Sequence, residues 1–179
     1  MPAPRLLGVY LNDHLAGATV GAELGHRMVQ EHGDTAYGDE LRNLATEIAQ
    51  DRRALLRIMG EVEVPARRYK VYGAWLGEKL GRAKPNGRLL RRSGLTLLIE
   101  LEALRSGVAG KALLWRALLA AAADDARFDQ DRLEELRQRA DRQRQTLDSL
   151  HARAAAGLLS APESAPESQL SGSSAARSG

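Results

Sequence analysis

Cysteine is absent from this 179-residue chain, which excludes disulfides, thiolate metal sites and cysteine nucleophiles. Aromatic residues make up only 4% of it, against 44% hydrophobic residues overall, so leucine and alanine must supply most of any core. Long uncharged apolar runs are missing too. The first apolar stretch carries Asp13 and Glu23, and the second carries Glu100, Glu102, Arg105 and Lys111, so no transmembrane segment is expected. The opening Met-Pro-Ala-Pro-Arg has no basic region leading into an apolar run. No secretory signal is expected there, and a cytoplasmic protein is the default. No phosphate-binding Gly-x-x-x-x-Gly-Lys, no Gly-x-Gly-x-x-Gly and no Gly-x-Ser-x-Gly occurs. With four histidines and no Ser/His/Asp arrangement suggested by position, no catalytic residue is assigned.

What is present is a layout used twice. Residues 5–62 read as two long amphipathic helices, and residues 93–156 read as two more. An offset of 89 aligns Leu15 with Leu104, Gly21 with Gly110, Leu24 with Leu113 and Arg27 with Arg116. Duplicating a helix pair is a simple route to a four-helix bundle. The first helix spans about Arg5 to Glu31, with small or apolar positions at Leu7, Leu11, His14, Ala18, Gly21, Gly25 and Met28. Gly17, Gly21 and Gly25 recur every four residues. Each costs roughly 1 kcal/mol of helix propensity, so close approach of a neighbouring backbone is expected there. Gly33 is available as a left-handed cap.

The second helix, from about Asp39 to Gly60, has the seam Leu41, Leu44, Ile48, Asp51, Leu55 and Ile58. The third follows Ser93 through Leu95, Leu98, Leu101, Leu104, Val108 and Trp115 to the alanines at 120–123. The fourth begins near Asp129, with the seam Leu133, Leu136, Ala140, Gln143, Leu147 and Leu150. Seams two and four share one step pattern, and each places its polar member, Asp51 or Gln143, at the same step. Short links make each pair an antiparallel hairpin. The crossover of about 30 residues implies that helices two and three run parallel, with a short helix expected over Tyr69–Leu80. Residues 157–179, with Ala-Pro-Glu-Ser repeated in tandem at 161–168, are expected to form a disordered tail on a 1–156 domain.

Short link, long crossover and short link, duplicated half to half, resembles the ferritin-like superfamily over about residues 5–156. That resemblance implies an all-α, ferritin-like four-helix bundle. It also implies a place for a di-metal centre, built from one Glu on each of two helices and Glu-x-x-His on the other two. Here the corresponding frames read Ile48-Ala49-Gln50-Asp51 and Ala140-Asp141-Arg142-Gln143, and no Glu-x-x-His occurs anywhere. No di-iron centre, metal or cofactor is therefore expected.

A polar layer at mid-bundle remains, formed by His14, Asp51 and Gln143, with Glu100 and Glu102 as contributors. The bland reading is a buried hydrogen-bond network in which Asp51 meets an amide or imidazole and no cation. The functional one is a degenerate metal or ligand site holding iron or manganese and handling iron or peroxide. His26, His32 and His151 are placed at the surface or at helix ends. A second candidate is the basic crossover: Arg67, Arg68, Lys70, Lys79, Arg82, Lys84, Arg88, Arg91 and Arg92 face a single acid, Glu78. Such a patch could bind nucleic acid or anionic lipid. Its simpler role is to answer the acids of residues 124–135. The leading expectation is a non-enzymatic bundle that binds a protein partner or pairs with itself as a homodimer.

Overall fold

In a computed structural model, residues 3–66 and 94–160 are described, and all of their regular structure is helical. Four helices form a bundle: α1 (Ala3–His32), α2 (Gly38–Glu61), α3 (Gly94–Ala122) and α4 (Gln130–Leu159). The fourth continues to Leu159, past the 156 at which the sequence pattern ends. The short helix expected over 69–80, the basic crossover and residues 161–179 lie outside the described residues.

The helix ends follow from local chemistry. Asp39 and Glu40 occupy the first turn of α2, where the positive end of the macrodipole favours acids. Asp129 caps α4, its carboxylate accepting from the Arg132 N–H at 3.1 Å. At the end of α2 the Glu63 N–H donates to the Gly60 carbonyl and the Val64 N–H to that of Met59. Glu63 sits at φ 58 between them, so a glutamate fills the left-handed position of this cap. Gly33 does not adopt that conformation. It is needed because the chain folds back tightly between α1 and α2. A Cβ on Gly33 would lie 2.5 Å from the Val29 carbonyl oxygen, and one on Gly38 would lie 1.9 Å from that of Gly33.

Cross-helix pairs define the topology. Arg52 Nε donates to Thr19 Oγ1 at 2.9 Å within the first hairpin, and Arg105 Nε to Asp148 at 2.9 Å within the second. Arg27, near the end of α1, bonds Glu100, near the start of α3. Arg132 pairs with Glu61, and Arg153 with Glu40, joining opposite ends of α4 and α2. Helices α2 and α3 therefore run parallel, as the long crossover requires.

All twelve seam positions expected on α2 and α4 are buried, including Asp51 and Gln143. Leu98, Leu101, Leu104, Val108 and Trp115 of α3 join them, but Leu95 is 47% exposed. On α1 the buried face is Leu11, Leu15, Leu24 and Met28. His14 and Gly21 lie beside it, partly exposed. Only Gly25 makes the close approach expected of the α1 glycines, 3.4 Å from the Ala45 backbone for an added Cβ. Among the described residues, Gly17 would meet nothing within 4 Å, and Gly21 only an Ile48 methyl at 3.9 Å.

Candidate functional site: a buried ion-pair layer beneath an apolar cavity

At mid-bundle α2 presents Asp51, α3 Lys111 and α4 Gln143, all pointing inward. The Lys111 ammonium donates to Asp51 Oδ2 at 2.5 Å and to Gln143 Oε1 at 2.6 Å. Gln143 Nε2 donates to the same Asp51 oxygen at 3.1 Å and to Glu47 Oε2 at 2.9 Å. Asp51 Oδ1 is ion-paired with the Arg139 guanidinium. Side-chain exposure is 1% for Asp51 and 11% for Lys111. Both ends of the Gln143 amide are committed, which fixes its orientation. Glu47, Asp51, Lys111 and Arg139 balance to zero formal charge.

Asp51 does meet an amide here, but it also meets two cations, so the expectation that it would avoid a cation is overturned. The cations belong to side chains. The reason is steric as well as electrostatic: a lysine has a four-carbon stem that packs along apolar helix surface and delivers its charge into the interior. A carboxylate deprived of water needs such a partner. Burial pushes the Lys111 ammonium below its ordinary pKa, and the adjacent Asp51 works against that shift.

The other members expected in the layer are dispersed. His14 is half-buried, stacked edge-on against Tyr10 with ring centroids 4.6 Å apart. Burial holds its imidazole below the ordinary value, against the pull of Asp13. It shares a cavity with Asp51 without bonding to it. Glu100 is buried at the far end of α1, bound to Arg27 at 2.9 Å. Glu102 is exposed and pairs with His151 at 3.0 Å. His26 is at the surface with Gln30, whereas His32 is buried at the α1 terminus, 8% exposed. Sequence reasoning missed Lys111, Arg139 and Glu47. A signal existed for Lys111: the α3 seam steps from Leu101 to Leu104 to Val108 and then skips to Trp115, and the omitted register position is 111.

Above this layer, between α1 and α3, opens a cavity of about 370 Å³. Gly17 and Gly21 line one wall, Gly107 and Gly110 the other, with Leu24, Val108 and Leu114 between. An added Cβ on Gly17, Gly107 or Gly110 would meet no atom of the described residues within 4 Å. The glycines thus border open space. Trp115 lines the cavity and is 1% exposed, yet its indole N–H has no hydrogen-bond partner among the described residues. Helical spacing carries the same stripes outward to Leu6 and Tyr10 on α1 and to Ile99 and Leu113 on α3, all exposed apolar side chains.

No known protein family matches the chain, nor does any curated protein or solved structure. All nine cations of the basic crossover fall outside the described residues.

Proposed function

We propose that this chain is a non-enzymatic, ferritin-like bundle that has lost the di-metal centre and acts by binding, with the α1–α3 cavity as its binding site. The observation that carries the proposal is four glycines facing one unfilled apolar space. Four mid-helix glycines cost on the order of 2–4 kcal/mol of helix stability relative to alanine. Among the described residues no contact returns that cost at Gly17, Gly107 or Gly110. An occupant of the cavity would.

The lining selects its chemistry. The walls are mostly apolar, and the polar side chains lining the space are few: Asp13 and His14 from α1 and, at its floor, the Asp51–Lys111 pair; the Trp115 N–H is left unbonded among the described residues. A compact apolar molecule bearing one hydrogen-bond acceptor suits these walls, and the cavity volume lies in the range of small-molecule sites. In place of metal chemistry, Lys111 provides a fixed positive charge that keeps Asp51 neutralised without an ion.

The test uses a naphthalene sulfonate probe such as 1-anilinonaphthalene-8-sulfonate, which joins an apolar body to an acceptor. Expected are one bound probe per chain, quenching of Trp115, and loss of both in Gly17→Leu/Gly107→Leu with melting temperature retained. Absence of a saturable site, or probe binding unchanged in that variant, would refute the proposal.

A second reading rests on Leu6, Tyr10, Ile99 and Leu113: the same face pairs with a second copy. Light scattering separates the two. A concentration-dependent dimer abolished by Leu113→Glu favours self-association, and a monomer that binds the probe favours the small molecule.

A further inference from the structure

The end of α1 and the opening turns of α3 bury a second polar cluster, none of whose residues lines the cavity. His32 and Glu100 are each 8% exposed. Arg27 Nη2 donates to Glu100 Oε1 at 2.9 Å, which leaves Oε2 to face His32 Nε2 at 3.7 Å. Among the described residues, neither His32 Nε2 nor Glu100 Oε2 has a hydrogen-bond partner. Two complementary buried groups left unsatisfied side by side are costly unless something stands between them.

The spacing indicates what that is. A separation of 3.7 Å exceeds the roughly 2.7–3.2 Å of a hydrogen bond. It is close to the ~3.4 Å between two donors each about 2.05 Å from one tetrahedral zinc ion. A third donor is at hand: the ligand atoms of Glu31, His32 and Glu100 all lie within 4.8 Å of one another. Glu31 is open to solvent, so rotation of its side chain can close the remaining gap.

We infer that Glu31, His32 and Glu100 bind one first-row divalent transition-metal ion, fastening the end of α1 to the start of α3. One imidazole and two carboxylates suit zinc, iron or manganese; calcium and magnesium prefer all-oxygen shells. The two carboxylates neutralise the ion's charge, and Arg27 is the outer partner that orients Glu100. This site shares no residue with the mid-bundle layer and does not depend on the ligand proposed for the cavity.

The experiment strips the full-length chain with a chelator, removes the chelator and titrates zinc chloride calorimetrically. One zinc per chain is expected, with a rise in melting temperature that calcium chloride does not produce. Glu31→Gln should leave the metal-free melting temperature unchanged and weaken zinc binding by more than about tenfold. His32→Ala should abolish binding, while His26→Ala and His151→Ala should retain it. Glu31→Gln alone decides the matter if His32→Ala fails to fold. A wild-type chain that does not bind zinc overturns the inference, as does binding that survives Glu31→Gln undiminished. So does a melting temperature that follows histidine protonation yet ignores zinc, which would mark an ordinary buried ion pair.

Discussion

Replacing Lys111 with methionine removes a charge but keeps the length and apolar character of the stem, which makes it the sharpest probe of the mid-bundle layer. Removing one partner of a buried ion pair typically costs about 3–5 kcal/mol, because the other charge is left without compensation. Asp51 would keep the Arg139 guanidinium on Oδ1 and the Gln143 amide on Oδ2, so the cost drops to the bottom of that range or just below it, about 2–3 kcal/mol. For a domain of this size that corresponds to a fall of about 5–10 °C in melting temperature. Asp51→Leu should cost about 3–5 kcal/mol, since it leaves an ammonium of 11% exposure with a single amide acceptor. The double variant Asp51→Leu/Lys111→Met should recover most of the loss. It replaces the pair with apolar groups, while Arg139, a quarter exposed, can turn to solvent. Chemical denaturation of all four proteins gives the coupling energy directly. Additivity within about 0.5 kcal/mol would mean that the two charges do not depend on each other, and the account of Lys111 as the internal counter-ion would fail. An unchanged midpoint for Lys111→Met alone would be equally damaging.

Other consequences are local and of opposite signs. Glu63→Gly should stabilise by about 1 kcal/mol, because a left-handed residue with a side chain carries a penalty that glycine avoids; urea midpoints check it. Gly17→Ala and Gly107→Ala should each stabilise by about 0.5–1 kcal/mol, since the new methyl enters open space. Gly38→Ala should instead destabilise by about 2–3 kcal/mol, because its Cβ would collide with the Gly33 carbonyl; equal effects at the three glycines would refute this division. Arg137, joined by Gln138, holds Glu134 down from 4.5 to about 2. A carboxylate depressed in the folded state supports folding fully above pH 4.5 and loses that support as pH falls towards 2. Melting temperatures between pH 5 and 2.5 should therefore fall less steeply in Glu134→Gln than in the parent, and salt should narrow the difference.

Much of the architecture was visible in residue order, for a physical reason. A leucine or isoleucine every third or fourth position has one low-energy arrangement, facing other such stripes, so the seams of α2 and α4 could be read position by position. Asp51 and Gln143 stood out because they interrupt those seams. Partnerships were harder to see. Glu100 belongs to Arg27 and His32, not to Asp51, because α3 runs down the bundle and brings its first turns level with the end of α1. That vertical alignment is a property of packed helices, and periodicity along one helix does not contain it.

Glycine and lysine show why spacing alone misled at the site itself. A glycine row has the same spacing whether it admits a neighbouring helix or borders a void. At Gly25 the neighbour is there, the Ala45 backbone; at Gly17, eight residues earlier on the same row, it is not. The two positions face different helices: Gly25 meets α2, whereas Gly17 faces α3, which sets its own glycines, Gly107 and Gly110, across the gap. The charge of Lys111 reads as a surface residue in any hydropathy window, yet its long stem places the ammonium at the centre of the bundle. Both residue types are hidden by averaging, and both mark places where the chain departs from the most stable choice. A cavity wall of glycine and a desolvated lysine each lower stability when considered alone. Their juxtaposition at one level of one bundle is the strongest reason to regard that level as the working part of the molecule.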